Sequence, residues 1–218
     1  MFYTNVQSLG NYIALRGIDE RGESIRRKIH YEPTLYVTAQ KQSQWKTLDG
    51  KMVSPVKWGP MKDTRQAMRE YPGDVFGIEG FQYSFISDNY PGLVDYELSK
   101  IRVAFIDIEC SSEYGFPDIR RANEEVLAIS IKIGDDFKVY GCGEYNPSPG
   151  VRYINCPNEE QLLKSFIDDW ASNYPDIVTG WNSRFFDIPY LMNRIIRILG
   201  EKYANKLSPW GWFKENEV

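Results

Sequence analysis

The segment that most constrains the fold of this chain is Arg102–Ile108, an apolar run that contains one carboxylate and is followed by another. A short apolar run bounded by polar residues predicts a buried strand. Asp107 and Glu109 are two residues apart, so their side chains project from the same face of that strand. Two carboxylates that converge at a strand end repel each other and bind hard divalent cations such as Mg²⁺ or Mn²⁺. The alternative is an exposed Asp-x-Glu where the strand emerges into solvent.

A second group of polar residues lies between a short predicted strand, Asp176–Thr179, and a predicted helix, Asp187–Leu199. Asp187 can be interpreted as the N-cap of that helix, and Asn182 as a loop amide that closes its own turn. Asp187 can also be interpreted as a third acidic group brought across the sheet towards the first two. Three carboxylates and one more would complete a two-metal site for phosphodiester hydrolysis.

The remaining pattern of residues 101–218 predicts strands followed by crossover units. Apolar runs over 126–133 and 137–140 flank a Gly-Asp-Asp turn and predict a hairpin. Residues 158–173 predict an amphipathic helix with a cap at Asn158. The order is three strands, a helix, a strand and a helix, which is typical of an α/β domain.

Residues 1–100 predict a separate, β-rich domain. An aromatic strand is predicted over Phe81–Ile86 and one short helix over Asp63–Tyr71. Further short strands are predicted over 2–6, 12–16, 25–30 and 34–38. The sequence is turn-rich over 72–98 and changes character at Lys100, which places a domain boundary between 1–100 and 101–218.

Composition narrows the class of protein. No run approaches the roughly 18 apolar residues of a membrane span, and the first residues lack a signal-peptide pattern, so we expect a soluble, cytoplasmic protein without a membrane partner. Cys110, Cys142 and Cys156 lack CxxC spacing, which argues against structural zinc. The net charge of −4 argues weakly against a nucleic-acid partner. The acidic excess lies in residues 101–218. The candidate metal ligands Asp107, Glu109 and Asp187 contribute to it, and bound cations would neutralise their charge.

Several motifs carry a resemblance to a known family. Phe105–Glu109 resembles the Exo I motif of the proofreading 3′→5′ exonuclease of family B DNA polymerases, and Asn182–Asp187 resembles Exo II. Tyr31–Val37 is similar to a strand of the N-terminal domain of the same polymerases. Lys100–Ala104 and Gly115–Pro117 are similar to the replicative polymerases of the T-even phage type. The likeness covers essentially the whole chain, in order.

The resemblance implies a fold, a function and residue roles. It implies an α/β fold class (α+β overall), with an incomplete ribonuclease-H-like exonuclease domain preceded by a β-rich N-terminal domain. Asp107, Glu109 and Asp187 would be catalytic carboxylates that ligate two Mg²⁺ or Mn²⁺ ions. Asn182 would hold a single-stranded 3′ end and Phe116 would pack against a terminal base, although Phe116 is equally well explained as a core residue.

The partners implied by the resemblance are DNA, as a single-stranded 3′ end or a primer-template, and the rest of a polymerase chain. RNA is implied only loosely, through residues 1–100. If the source is a phage, the location implied is the cytoplasm of the bacterial host.

One part of the family pattern is missing. The fourth acid of the family lies in an Exo III motif, Tyr-x-x-x-Asp, and no such pattern follows Asp187 before Val218. The chain is therefore interpreted as the N-terminal portion of a replicative DNA polymerase, truncated before Exo III. We expect weak or absent metal binding, little or no exonuclease activity and no polymerisation from these 218 residues alone.

Three alternatives remain open. Residues 1–100 could be a nucleic-acid-binding module, because residues 41–69 hold seven Lys and Arg against two Asp, although a solvated basic face explains the same pattern. A free-standing ribonuclease-H-class nuclease would need a fourth ligand from Asp118, Asp135, Asp136, Glu159 or Glu160. A purely structural interaction domain would require the order of the two carboxylate motifs to be a coincidence.

Overall fold

The computed structural model describes residues 1–39, 42–113 and 115–213. The chain forms two compact units, Met1–Lys100 and Ile101–Val218. Lys41, the first cation of the basic stretch, lies outside the described residues. Within the described part of the chain, no helix has the length and apolar character needed to cross a membrane.

Within residues 1–39 and 42–100, the first unit forms two antiparallel sheets and two α-helices. Its elements are β1 (Phe2–Leu9), β2 (Tyr12–Ile18), β3 (Ser24–His30), β4 (Thr34–Thr38), β5 (Trp45–Lys46), β6 (Met52–Lys57), α1 (Met61–Glu70), β7 (Val75–Phe76) and α2 (Phe81–Asn89). One sheet has the strand order β1-β2-β3 and the other the order β5-β6-β4-β7. The four early predicted strands and the short helix are confirmed.

The strand predicted over Phe81–Ile86 is wrong, because this segment lies in helix α2. Phe81 and Phe85 are 0% and 4% exposed and pack in one core cluster with residues of β2. Residues four apart lie on the same face of a helix, so α2 buries both phenylalanine rings on one side. Aromatic residues favour strands locally, but tertiary packing decides the conformation here.

The second unit contains one mixed sheet and the remaining helices. Its main elements are β8 (Val103–Cys110), β9 (Val126–Ile133), β10 (Asp136–Cys142), β11 (Val151–Cys156), α3 (Glu159–Ser172), β12 (Ile177–Thr179), α4 (Asp187–Leu199) and α5 (Glu201–Ala204). The strand order is β11-β10-β9-β8-β12. The β9–β10 hairpin is confirmed, and β12 and β11 are parallel to their neighbours β8 and β10. Strand β11 was not predicted; among the described residues it is the fourth strand before α3 in this unit.

Helices α3 and α4 pack against one face of this sheet in a single hydrophobic cluster. The predicted cap of α3 is confirmed, since the Asn158 side chain accepts a hydrogen bond from the Gln161 backbone N–H at 3.0 Å. Helix α4 ends at Gly200, whose φ of +85° lies in the left-handed region that favours glycine. The local signal at Asn158 therefore predicted the start of α3, and the predicted end of α4 at Leu199 is confirmed.

A buried ion pair connects α3 and α4 with the loop between β8 and β9. The Arg194 guanidinium donates from Nε and Nη2 to the two carboxylate oxygens of Glu159, at 2.7 and 2.6 Å. Arg194 also donates to the carbonyl oxygens of Ala122 and Asn123, and Glu159 accepts from the Val126 N–H at 2.8 Å. The two charged side chains are only 8% and 10% exposed, so each depends on the other for its counter-charge.

Candidate metal and substrate site

Asp107 and Glu109 lie on the exposed face of strand β8. Along this strand buried and exposed residues alternate, and both carboxylates are exposed whereas Ile106 and Ile108 are buried against the helices. This alternation follows from the two-residue period of a strand. The structure therefore places the two carboxylates on one face, clear of the hydrophobic core.

Asp187 approaches β8 from the start of helix α4. Its side chain is buried and accepts a hydrogen bond from the Ile108 backbone N–H at 3.1 Å. Strand β12 pairs with β8 only along Val103–Phe105, so the Ile108 N–H takes a carboxylate as its partner instead of another strand. The N-cap position of α4 belongs to Phe186 and has no side-chain cap. Asp187 thus bonds to the strand, and the interpretation as an N-cap is wrong.

Burial is the main cause of a raised pKa at Asp187, and the negative charge of Asp107 raises that pKa further. Backbone hydrogen bonds, including the one from Ile108, act in the opposite direction. Two carboxylates whose charges disfavour each other offer the oxygen ligands that hard divalent cations prefer. Within residues 1–39, 42–113 and 115–213, no three Asp, Glu, His or Cys side chains are grouped closely enough to hold an ion. Asp107 and Asp187 could therefore supply some of the ligands of a divalent cation. In the described residues, Glu109 does not join them in a group of three.

Asn182 shapes the loop that leads into α4. Its φ of +58° lies in the left-handed region, which asparagine tolerates better than most residues. Its carbonyl oxygen accepts hydrogen bonds from the N–H groups of Phe185 and Phe186, both at 2.9 Å. The turn is therefore closed by the backbone of Asn182, and the residue itself is exposed.

Two exposed aromatic residues of this loop were missed by sequence reasoning. Trp181 is 94% exposed and Phe185 is 54% exposed. Aromatic faces presented to solvent beside a candidate nucleic-acid site can stack with unpaired bases. The sequence did contain a signal for these residues. Large aromatic residues occur here in a loop-like segment that also contains Gly, Asn and Ser, and no predicted core strand or helix accounts for them.

Phe116 is 84% exposed, and its ring centroid lies 5.3 Å from that of Phe186. Phe186 in turn stacks on Tyr190 at 5.5 Å. The explanation of Phe116 as a core residue is therefore wrong. Its ring lies on the surface beside the residue that precedes Asp187.

Four of the five acids considered as a fourth ligand are engaged elsewhere. Asp118 accepts from the Arg121 N–H, Asp136 pairs with Arg152, Glu159 with Arg194, and Glu160 with Lys164. The fifth acid, Asp135, lies in the β9–β10 turn. This turn follows Ile133, and Ile133 pairs with Ala104 near the start of β8. The carboxylates Asp107 and Glu109 lie further along the same strand.

Several Lys and Arg side chains of the basic stretch, residues 41–69, make contacts within the first unit. Lys57 pairs with Asp88 at 3.2 Å, and the Arg65 guanidinium lies 4.8 Å from the centre of the Phe81 ring. These contacts explain part of the cationic content as structural. Among the described residues, we find no contact that specifically supports the interpretation of residues 1–100 as a nucleic-acid-binding module.

Gly180 offers a test of how tightly this loop must approach β8. A Cβ atom at this position would lie 2.3 Å from the Ile106 carbonyl oxygen, and a backbone atom cannot rotate away. Gly180→Ala should therefore lower the free energy of unfolding by about 1–3 kcal/mol and displace the loop. The measurement is urea denaturation, together with hydrogen exchange of the Ile108 amide, which should become faster as Asp187 moves.

Gly141→Ala is the matched control. A Cβ atom there would lie 2.8 Å from the Tyr153 hydroxyl, the far end of a side chain that can move. The expected loss is smaller than at Gly180. Equal losses at the two positions would show that the approach of the loop to β8 is not tight.

The family described as DNA polymerase family B, exonuclease domain, matches residues 81–218. The chain is 33% identical over its whole length to the DNA-directed DNA polymerase of Enterobacteria phage T4, and 32% identical over 95% of its length to that of Escherichia phage RB69. It is also 33% identical, over 44% of its length, to the DNA polymerase delta catalytic subunit of Caenorhabditis elegans. The chain spans 28% and 27% of the two phage polymerases and 10% of the nematode subunit.

Proposed function

This chain belongs to DNA polymerase family B, and on that premise we propose that it is the N-terminal portion of a replicative polymerase and carries part of the 3′→5′ proofreading site. The observation that carries the proposal is the buried Asp187 carboxylate, held against β8 by the Ile108 N–H and sensitive to the charge of Asp107. DNA is the proposed substrate, and the bacterial cytoplasm is the proposed location.

The family match and the mixed sheet with its helices confirm the predicted α/β fold class with a ribonuclease-H-like domain. In the proposal, residues 101–218 form part of the exonuclease domain and residues 1–100 form the β-rich N-terminal domain. The rest of a polymerase chain is the proposed partner of both. RNA binding by residues 1–100 is not part of this proposal.

Asp107 and Asp187 are the proposed first ligands of Mg²⁺ or Mn²⁺, and Glu109, on the same face of β8 as Asp107, is the proposed third ligand that a bound ion would draw in. When bound, such ions polarise the phosphodiester and activate water. The role of the Ile108 N–H is to fix one oxygen of Asp187, so that the carboxylate stays oriented without a second side chain. Asn182 and Phe116 are proposed to hold the single-stranded 3′ end, with Trp181 offering a further stacking surface.

Manganese binding tests the ligand assignment. Titration of the purified chain with Mn²⁺, followed by the electron paramagnetic resonance signal of the free ion, should show weak binding. Asp107→Asn and Asp187→Asn should each weaken that binding by at least about tenfold, because each removes a charged oxygen ligand. Asp135→Asn removes the same charge from the β9–β10 turn and should have no effect. Equal binding by all four proteins would contradict the ligand assignment.

Nuclease activity tests the proposal of an incomplete site. With 5′-labelled single-stranded DNA and Mg²⁺ or Mn²⁺, we expect nucleotide release by the purified chain to stay near the background of the Asp107→Asn variant. Rapid, metal-dependent release that Asp107→Asn abolishes would instead support a free-standing nuclease, whose fourth ligand would then lie within these 218 residues.

A further inference from the structure

Two of the three cysteines lie side by side at the ends of neighbouring strands. Cys142 is the last residue of β10 and Cys156 is the last residue of β11. The two strands are parallel, and their register pairs Cys142 directly with Cys156. All three cysteines are free thiols in this structure.

The two side chains point to the same face of the sheet. Tyr140 and Ile154, two residues earlier on their respective strands, are also a register pair, and both pack in the core under α3 and α4. The two-residue period of a strand therefore directs Cys142 and Cys156 to that same face. Neighbouring strands lie about 4.8 Å apart, which is within the range of Cα separations seen in disulfides.

The two thiols differ in accessibility. Cys142 is exposed, whereas Cys156 is 3% exposed and its Sγ lies 3.6 Å from the Ile154 carbonyl oxygen and 4.0 Å from the Ser165 hydroxyl. A reagent can therefore reach Cys142 directly, and Cys156, its register partner on the neighbouring strand, is positioned to react next. This is the arrangement of an attacking thiol and a resolving thiol.

We propose that Cys142 and Cys156 form a two-thiol oxidation site, at which a peroxide converts them into an intramolecular disulfide. The Cys142 thiolate attacks one peroxide oxygen, the O–O bond breaks and hydroxide leaves, giving a sulfenic acid. The Cys156 sulfur then attacks the Cys142 sulfur, the S–O bond breaks, and the hydroxyl leaves as water with the proton of Cys156. In total two thiols and one hydrogen peroxide give one disulfide and two waters.

Cys110 is excluded from this pair by the strand order. Strand β9 separates β8 from β10, so Cys110 is about two strand spacings, or roughly 9.6 Å, from Cys142. Cysteines more than about 7 Å apart cannot be bridged without movement of the backbone. Cys110 is therefore an internal control.

The experiment is oxidation of the full chain with a small excess of hydrogen peroxide. Partial desolvation, followed by the neighbouring Cys156 and the carboxylates of Glu125 and Glu159, raises the pKa of the Cys142 thiol. The reaction is therefore run at mildly alkaline pH, where more of the thiol is ionised. We expect the thiol count under denaturing conditions to fall from three to one, and peptide mapping to recover a Cys142–Cys156 crosslink. Closing this loop should raise the unfolding midpoint by about 5 °C or more.

Variants separate the proposed pair from general thiol oxidation. Cys110→Ser should still lose two thiols, whereas Cys142→Ser and Cys156→Ala should form no intramolecular disulfide. Phenylarsine oxide, which binds two thiols with loss of one water, gives a second measurement that does not require an oxidant. It should bind the unmodified chain and Cys110→Ser in a one-to-one adduct, and neither of the other variants. Crosslinked dimers through Cys142, or its sulfinic acid with Cys156 still reduced, would overturn the proposal.

Discussion

Arg194→Ala should lower the free energy of unfolding of the second unit by about 3–5 kcal/mol, the cost of leaving one partner of a buried ion pair without its counter-charge. Glu159 is the partner that remains, and its carboxylate lies in a region only about one-tenth exposed. The carbonyl oxygens of Ala122 and Asn123 lose their donor in the same variant. Hydrogen exchange of peptides from α3 and α4 measures the effect on this unit alone.

Glu160→Ala provides the matched control, because Glu160 adjoins Glu159 in the same helical turn. Its partner Lys164 is 30% exposed and Glu160 itself 53% exposed, so the pair is screened by solvent. Loss of such a solvent-screened pair costs far less than loss of a buried one. If Arg194→Ala were no more damaging than Glu160→Ala, the buried pair would not be the main link between α3 and α4.

The effect of Arg194→Ala should reach the candidate site. Arg194 lies on α4, the helix that begins with Asp187, and it holds the loop that follows Phe116. Tyr190 adds a second anchor by donating to the Glu124 carbonyl oxygen at 2.6 Å. The same exchange experiment should therefore show faster exchange at the Ile108 amide as well as in the loop, because both depend on the position of α4.

The sequence predicted those parts of the second unit whose signals are local. The α3 cap at Asn158 and the hairpin around Gly134 each depend on residues that are close together in the sequence. Strand β11 was missed although its local signal is present: Val151, Tyr153 and Ile154 favour strands, and Gly150 and Pro157 bound the run. Its parallel pairing with β10, at the edge of the sheet, is the part that no local pattern encodes.

The sequence indicated which residues belong to the candidate site, but it did not indicate which atoms contact each other there. The spacing of Asp107 and Glu109 predicted a shared face, which the structure bears out. The bond from Ile108 to Asp187 spans 79 residues of sequence, and no local pattern encodes it. Glu159 illustrates the same limit: it was considered as a metal ligand, and its actual partner, Arg194, lies 35 residues away.

The segment that forms α2 permits a sharp test, because a strand and a helix predict different buried residues. In a strand, Phe81, Tyr83 and Phe85 would share one face, since side chains alternate with a period of two. In the helix, Phe81 and Phe85 share a face and Tyr83 lies apart from them, at 60% exposure. Phe81→Ala should therefore lower the free energy of unfolding of the first unit by about 3–5 kcal/mol, because a fully buried ring leaves a cavity. Urea denaturation monitored by far-UV circular dichroism measures the loss.

Tyr83→Ala is the control that distinguishes the two conformations. An exposed side chain on the solvent face of a helix changes stability by about 0.5 kcal/mol or less on truncation, and alanine is the better helix former. The contrast between Phe81 and Tyr83 should therefore be several-fold. A loss at Tyr83 comparable to that at Phe81 would mean that all three aromatic residues share one buried face, as the strand predicted from the sequence requires.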